Sequence, residues 1–375
     1  MDWQALRDEF PITRNYNFQN HAAVAPLSRR AAHGMRQYLR HAEETAYLEG
    51  DFRKWADRVR QQAGDLINAN ADEIAFTKNT TEGISFVANG LNWTNGDNVV
   101  LSNVEFPGNV YPWQALQSRG VELRMVLEEY GRVPLEQVTA AIDSRTRVVA
   151  ISSVQFASGF RTDLATLGEY CQSKGVFLSV DAIQSLGAFP IDVRAMRIDF
   201  LSADGHKWLC APEGAGIFFV RRELQGHLHP STIGWASMRD PFDFSTYHFE
   251  FADSARRYES GSYNFAGIFA LGGAFELIAE VGVENIARRV LTLTDRLVEG
   301  LRDKGYRIVS SRDRGEGSGI VAFFSDTHDL DDIQQHLQAE HRIVIAVRNG
   351  RLRASPHFYN ATREIDQLID VLPSH

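Results

Sequence analysis

Short apolar runs alternate with helical patterns through the first two thirds of the chain. The run at 177–180 is too short for a helix, follows the turn residue Gly175 and ends at Asp181, so it predicts a buried strand. Helical patterns lie between this run and most of the others. The pattern as a whole predicts an α/β domain. Further strands are predicted at 74–77, 99–102, 122–126, 147–152 and 199–202.

The pattern changes near residue 280 and predicts a smaller α+β domain. Before it, the stretch 226–257 shows little periodicity and indicates a long irregular connection. We expect an N-terminal arm at 1–15, a large domain at 16–255, and a small C-terminal domain at 256–375 that packs with the N-terminal segment. Its helices are predicted at 284–304, 333–341 and 363–372, and its strands at 306–309, 319–324, 343–347 and 351–355.

The composition is that of an ordinary soluble protein. The chain has 375 residues, enough for two domains, with 44% hydrophobic and 23% charged residues. A net charge of −9 argues against nucleic acid as a main partner, and no apolar run is long enough to span a membrane. Two cysteines, Cys171 and Cys210, imply no disulfide framework. With no secretory signal visible, we expect a cytoplasmic protein, and we predict no metal site.

Asp181 and Lys207 are the first candidates for chemistry. Open α/β sheets place ligand-binding groups at the carboxyl ends of strands, where Asp181 is predicted. Lys207 follows on a Gly-containing turn between His206 and Trp208. A fixed carboxylate can keep a pyridine nitrogen protonated, and a buried lysine can form a Schiff base and carry a proton, so the pair matches the needs of pyridoxal 5′-phosphate (PLP). Taken singly, an Asp in such a place is more often a helix cap, and a Lys is more often part of a solvated turn.

The segment 177–220 resembles the class V aminotransferases of the fold-type I PLP enzymes. That group includes cysteine desulfurases, isopenicillin-N-epimerase-like proteins and kynureninases, and the resemblance runs from about Tyr16 to Leu372. It implies a large domain with a mostly parallel seven-stranded sheet sandwiched by helices, and a smaller α+β C-terminal domain. It also implies PLP as the cofactor, linked to Lys207 as a Schiff base.

The resemblance assigns residues around the cofactor ring. It implies that Asp181 contacts the pyridine nitrogen and that Gln184 contacts the ring hydroxyl. Desulfurases have a ring-stacking histidine after the glutamate of the segment VEFPG, and this chain has Phe106 there. A phenyl ring can stack on the cofactor but cannot move a proton.

The phosphate group is expected at a helix start. Thr80 and Thr81 follow the strand at 74–77, and free backbone amides together with the helix dipole make such a start an anion site. A plain capping box with Glu82 is the alternative. The family often has a serine where this chain has Asp204, so we expect Ser202 or His206 to take that phosphate contact.

A second subunit enters the prediction through Ser262. This serine lies in the glycine-rich segment 257–277, which in the family reaches the neighbouring active site. Ser262 would then bind the partner's cofactor phosphate, and a two-fold homodimer would complete each site. An ordinary helix entry capped by Asn264 is the alternative, and both can hold together.

Three residues are predicted to contact an amino-acid substrate. Arg353 lies in a C-terminal motif that binds the α-carboxylate in the family, a task that suits a planar two-pronged donor. His21 belongs to the segment 16–28, which lies over the substrate side. Phe156 aligns with an asparagine that contacts the substrate carboxylate in desulfurases, although core packing explains it equally well.

The positions of the cysteines limit which PLP-dependent reactions this protein can catalyse. Desulfurases need a thiolate on a mobile loop before the C-terminal arginine, and residues 341–355 contain no cysteine. This argues against a persulfide-forming desulfurase. Lys207 can move a proton between Cα and the cofactor, so we expect an aminotransferase. The alternatives are a lyase acting by β-elimination, an epimerase, and a scaffold of the same fold without enzyme activity.

Overall fold

A seven-stranded sheet forms the centre of the protein. The computed structural model describes residues 1–374, and its strands are numbered here in chain order. In the large sheet the order is β2-β8-β7-β6-β5-β3-β4, and every strand runs in one direction except β8, which is antiparallel to both neighbours. The predicted mostly parallel sheet is therefore confirmed. The strands of this sheet are β2 (Ile74–Thr77), β3 (Asn98–Ser102), β4 (Glu122–Val126), β5 (Thr146–Ser152), β6 (Phe177–Asp181), β7 (Phe200–Asp204) and β8 (Gly216–Val220).

The central strands are buried on both faces and end in polar residues. Parallel strands covered by helices on both sides read as continuous apolar runs, which explains the pattern of β5, β6 and β7. In the register, Ser152 lies opposite Asp181, and Asp181 lies opposite Ser202. Three neighbouring strands thus bring polar side chains to one edge of the sheet, where ligands bind in such folds.

Eleven α-helices are described along residues 1–374, and several begin at a side chain that accepts backbone N–H bonds, such as Ser28 and Asp163. The most apolar of them, α8, packs against α2 and α3. A Cβ on Gly34 would lie 2.2 Å from the Phe269 carbonyl oxygen, so this close approach requires glycine. The helices are α1 (Trp3–Arg7), α2 (Arg29–Glu44), α3 (Phe52–Ile67), α4 (Thr80–Gly90), α5 (Tyr111–Gln114), α6 (Leu135–Ala140), α7 (Leu164–Lys174), α8 (Phe265–Val281), α9 (Val283–Asp303), α10 (Leu330–His341) and α11 (Thr362–Val371).

Helix α8 is apolar enough to raise the question of whether it could span a membrane. Over the described residues, no single helix has the length and apolar character needed to cross a bilayer. The bent pair α8 and α9, which meet at 79°, satisfies that criterion only when both are taken together, and α8 is buried in the core.

The C-terminal part forms a four-stranded antiparallel sheet with the order β12-β13-β10-β9. The single strand predicted at 343–347 is two strands, because the chain changes sheets at Ile345: β11 pairs with β1 near the N-terminus, and β12 pairs with β13. The domain boundary at residue 255 stays a prediction. The remaining strands are β1 (Asn17–Phe18), β9 (Arg307–Ile308), β10 (Val321–Phe324), β11 (Ile343–Val344), β12 (Ala346–Arg348) and β13 (Arg351–Ala354).

A buried ion pair joins the two ends of the chain. Arg7 on α1 donates from Nη1 and Nη2 to the carboxylate of Glu364 on α11, at 2.7 and 2.6 Å. Both side chains are less than one tenth exposed. The pair holds the N-terminal arm against the C-terminal helix.

We expect Glu364→Gln to lower the free energy of unfolding by about 3–5 kcal/mol, because it leaves the Arg7 charge buried without its partner. Chemical denaturation measures this. The matched control is Asp366→Asn on the same helix, which removes an exposed pair with Arg296 and should cost no more than about 1 kcal/mol. Equal losses in the two variants would contradict the structural role given to the buried pair.

Candidate active site

Lys207 lies on the turn after β7, and the turn is held rigidly. The Ala25 N–H donates to the His206 carbonyl at 2.8 Å, and the Cys210 N–H donates to the Lys207 carbonyl at 3.0 Å. The Lys207 side chain is buried. Burial lowers the pKa of Lys207 to about 8; the charge of Asp181 raises it, and that of Arg353 lowers it. The predicted lysine and aspartate are therefore close enough to interact.

Asp181 is the last residue of β6 and is buried beside this amine. The Ile183 N–H donates to its Oδ1 at 3.0 Å. Burial raises the pKa of Asp181 to about 6, the bond from Ile183 and the charge of Lys207 lower it, and Glu105 raises it. A carboxylate in this position gains stability from a nearby positive charge, such as a protonated pyridine nitrogen.

Glu105 is a residue that the sequence reasoning missed. Its buried carboxylate accepts hydrogen bonds from side chains on three segments, including Asn109 Nδ2 at 2.9 Å and Gln155 Nε2 at 2.7 Å. It also accepts the backbone N–H of Ser152 at 3.0 Å. Glu105 thereby ties the end of β5 to the loop that carries Phe106. Its place three residues after the end of the buried strand β3 and directly before an aromatic residue is the signal that points to it.

One aromatic ring lies beside the lysine and packs against a second. The Lys207 Nζ lies 5.6 Å from the centroid of the Phe106 ring. The Phe106 and Phe156 rings meet at 81° with centroids 5.3 Å apart. Phe106 thus lies near the amine, and Phe156 packs edge-to-face against Phe106. The stacking role of Phe106 and the substrate contact of Phe156 stay predictions.

The start of α4 offers an unsatisfied hydroxyl. Thr80 is buried, and its Oγ1 has no hydrogen-bond partner within the described chain. The helix start is capped, but by Asn79 and not by Thr80 or Thr81: Asn79 accepts the Glu82 N–H, and the Glu82 carboxylate accepts the Lys78 backbone N–H. A free hydroxyl beside free amides fits a phosphate group.

The neighbours of this helix start link it to the rest of the site. A Cβ on Gly108 would lie 2.5 Å from Thr81 Oγ1, so Thr81 contacts the loop that follows Phe106. Ser202 Oγ lies against α4 at Gly83. The Asp204 carboxylate accepts the Gly205 N–H and contacts His206 Nδ1 at 2.7 Å.

Gln184 and His21 connect the N-terminal segment to the site. The Gln184 amide donates to the Ala22 carbonyl at 3.0 Å and accepts the Trp208 Nε1–H at 2.9 Å, which leaves one amide N–H for a ligand. His21 is fully buried, with Nδ1 on the Ser355 carbonyl and Nε2 on the Tyr359 hydroxyl. Both nitrogens of His21 are occupied, so the ring supports the site and offers a substrate no hydrogen bond.

Arg353 on β13 is a buried cation without an anion. Its Nη1 donates to the Phe156 carbonyl at 2.8 Å, and its buried Nε has no partner. Across residues 1–374, no carboxylate lies within ion-pair distance of it. Burial, together with the smaller effect of the Arg348 charge, lowers the pKa of Arg353 to about 10. A buried guanidinium of this kind is stabilised when a carboxylate enters the site.

The structure brings several of the predicted residues together and leaves Ser262 apart from them. Phe106 lies beside the Lys207 amine, and the charges of Asp181 and Arg353 both act on that amine. The free hydroxyl of Thr80 is at the start of α4, a helix that packs against β6 and β7. Ser262 is exposed on the segment before α8, and its predicted contact concerns a second subunit.

Known proteins resemble this chain in sequence and in fold. The sequence model of class-V aminotransferases matches residues 17–368. The chain belongs to this family. A cysteine desulfurase of Klebsiella pneumoniae is 33% identical over 354 residues, covering 88% of this chain and 82% of the relative. A probable cysteine desulfurase of Methanothermobacter thermautotrophicus is 29% identical over 400 residues, covering 99% and 98%. The apo structure of a cysteine desulfurase from Thermococcus onnurineus superposes with a TM-score of 0.90 at 26% identity, covering 98% and 96%.

Membership settles the class of chemistry. Class-V aminotransferases are PLP-dependent enzymes, so this protein is an enzyme and PLP is its cofactor. The buried acid, the buried amine and the orphaned Thr80 hydroxyl fit the ring, the aldehyde and the phosphate of that group. The roles of the individual residues stay predictions.

We expect cofactor-free protein to capture PLP at a rate that rises with pH and levels off with a midpoint near 8, because only the neutral amine attacks an aldehyde. An ordinary lysine, with a pKa of about 10.4, would place the midpoint more than two units higher. Absorbance of the bound cofactor measures the rate.

Two variants test the cause of this pKa. Asp181→Asn should shift the midpoint to lower pH, because the Asp181 charge raises the pKa of Lys207. Lys207→Ala should abolish covalent capture, whereas Lys174→Ala, at an exposed lysine, should leave it unchanged. A wild-type midpoint near 10 would contradict the account of burial.

Proposed function

We propose that this protein is a PLP-dependent lyase that cleaves the Cβ–S bond of cysteine or a cysteine derivative by β-elimination. The observation that carries the proposal is a site with a desulfurase-like lysine and arginine but no accessible thiol. Relatives that cover most of the chain are cysteine desulfurases, which supports a sulfur-containing amino acid as the substrate. The missing thiol favours direct release of the sulfur group into solution.

Both thiols are buried and protonated. Cys171 on α7 and Cys210 after Lys207 are each no more than 3% exposed. Burial raises the pKa of Cys171 to about 12 and raises that of Cys210 well above its ordinary value. The thiolate is the form that attacks sulfur, so neither residue supplies one near neutral pH.

The residues of the site have distinct tasks in this proposal. When bound, PLP draws electrons from the substrate Cα. Lys207, with a pKa near 8, removes the Cα proton, and Asp181 holds the proton on the pyridine nitrogen. Arg353 binds the α-carboxylate. The electron pair of the Cβ–S bond leaves with sulfur, which takes up a proton, and hydrolysis of the remaining three-carbon fragment consumes one water and yields pyruvate and ammonia.

Transamination is the second candidate. The sequence led us to expect an aminotransferase, but the comparisons favour the lyase alternative, because cysteine desulfurases predominate among the relatives. One relative that matches 98% of the chain, from Bacillus subtilis, is described as an uncharacterized aminotransferase. Lys207 is able to move a proton between the substrate Cα and the cofactor, as transamination requires, or to remove it from Cα for β-elimination. The two reactions differ in whether the amino group stays on the cofactor or leaves as ammonia.

We also propose that the protein acts as a two-fold homodimer with Ser262 at the partner's phosphate. Exposed aromatic side chains lie on the irregular segment beside this serine, including Phe244 and Phe249, and Trp235 and Phe242 line a cavity together with Ser262. Exposed apolar patches of this kind mark interaction surfaces. Analytical ultracentrifugation tests for the dimer. The Ser262→Ala variant should bind PLP more weakly and remain a dimer.

We expect purified PLP-loaded enzyme to release pyruvate and thiol in equal amounts from S-substituted cysteines. A coupled lactate dehydrogenase assay measures pyruvate, and a thiol reagent measures the other product. Accumulation of the pyridoxamine form together with a 2-oxo acid that keeps its sulfur group would show an aminotransferase instead.

The same assay on a Cys171→Ala/Cys210→Ala variant separates the lyase from a desulfurase. The double variant should retain the wild-type kcat, because no enzyme thiol takes part. A thermal melt serves as the folding control. Loss of activity in a folded double variant would mean that one of the thiols carries sulfur.

A further inference from the structure

Arg348, Arg351 and Arg353 lie on one face of the four-stranded sheet beside the site. In the antiparallel register of β12 and β13, Arg348 is opposite Arg351, so their side chains share a face. Arg353 follows Arg351 by two residues and points to the same side. Arg348 and Arg353 are therefore diagonal neighbours, about 7–8 Å apart, which is within reach of long side chains.

A tight turn holds Arg348 in this place. Asn349 and Gly350 connect β12 to β13, with φ angles of +49° and +69°. Two positive φ angles define a type I′ turn, for which Asn-Gly is the preferred pair, and its twist matches that of the flanking strands. The conformation of this turn therefore fixes the position of the Arg348 Cα and the face of the sheet from which its side chain extends.

The charges on this face are not balanced. Arg351 has Glu128 at 3.5 Å. Arg353 has only the Phe156 carbonyl, and Arg348 donates from Nη1 only to the neighbouring Val347 carbonyl at 2.7 Å. No carboxylate of the described residues is within ion-pair distance of either one. The α-carboxylate of a substrate would neutralise one of these two cations and leave the other.

The depth of the two cations differs. Arg353 is 2% exposed, whereas Arg348 is an exposed residue. Lys207 is close enough to both that each of their charges lowers its pKa, after the larger effect of burial. One anion thus fits deep in the site near the amine, and a second fits nearer the rim.

We propose that the substrate carries a second anionic group beyond its sulfur atom, which Arg348 binds while Arg353 binds the α-carboxylate. The substrate class is then a thioether or disulfide of cysteine whose leaving group bears a carboxylate. This inference rests on the proposed lyase function for the identity of the bond that breaks. The expected preference for a second negative charge concerns ligand binding only, and it does not depend on which bond breaks.

An isosteric pair of ligands tests the proposal. S-carboxymethyl-L-cysteine and S-carbamoylmethyl-L-cysteine have the same shape and differ by one negative charge. The absorbance change of the bound cofactor, followed by stopped flow before turnover, gives Kd for each ligand on the PLP-loaded enzyme, and pyruvate release gives kcat/KM. With the acid, each turnover consumes one water and yields pyruvate, ammonia and mercaptoacetate. We expect the wild type to bind the acid about tenfold more tightly than the amide.

Three variants locate the effect. Arg348→Gln should remove the preference for the acid and leave the Kd of the amide unchanged. Arg348→Lys should retain most of the preference, because it keeps the charge. Arg307→Gln, at an exposed arginine on the opposite edge strand β9, should behave as the wild type.

Two results would overturn the inference. One is a wild type without preference for the acid, and the other is an Arg348→Gln enzyme that binds both ligands equally more weakly, which would assign Arg348 to the α-carboxylate. Tight binding of the acid without pyruvate release would support the second anion site and contradict the lyase proposal. Pyruvate release with no charge preference would do the reverse.

Discussion

The charge of one buried amine is the quantity on which the rest of the site depends. A lysine in water is ionised at neutral pH and cannot attack an aldehyde. In this protein burial favours the neutral form of Lys207, Arg353 favours it further, and Asp181 opposes both, so the pKa settles near 8. An amine in that range exchanges protons readily in both directions. In the proposed reaction these two charged neighbours hold the two ends of a ligand, with Asp181 at the pyridine ring and Arg353 at the carboxylate.

The fold brings these groups together from distant parts of the chain. Asp181 and Lys207 follow adjacent strands of the large sheet, whereas Arg353 lies on the small C-terminal sheet. The N-terminal segment closes the arrangement, since β1 pairs with β11 and the Ala22 carbonyl accepts from Gln184. The ion pair of Arg7 with Glu364 holds the same two ends of the chain together. The small sheet therefore keeps its place at the site through contacts far from the chemistry.

The sequence predicted the parts of the site that follow from local patterns. A short apolar run ending in an acid located Asp181, and a polar turn located Lys207, because strand ends meet at one edge of a sheet. Glu105 was missed, since its function depends on donors from β5 and its loop that no sequence pattern connects. His21 was placed near the substrate, but its nitrogens bind Ser355 and Tyr359, more than 300 residues further along the chain.

Two further differences have the same origin. The cap of α4 is Asn79 and not a threonine, and the consequence is that Thr80 keeps a free hydroxyl. The break at Ile345 follows from pairing with two different sheets, which an apolar run does not record. Patterns within one segment therefore predicted local structure correctly, whereas contacts between distant segments could not be predicted from such patterns.

Mapping the covalent attachment point of the cofactor tests the central claim most directly. Borohydride reduction of the purified enzyme, followed by digestion and mass spectrometry, identifies the lysine that carries the pyridoxyl group. The account predicts a single modified peptide, with the adduct on Lys207. An adduct on Lys54, Lys78, Lys174 or Lys304, or none in an enzyme that has bound PLP, would contradict it.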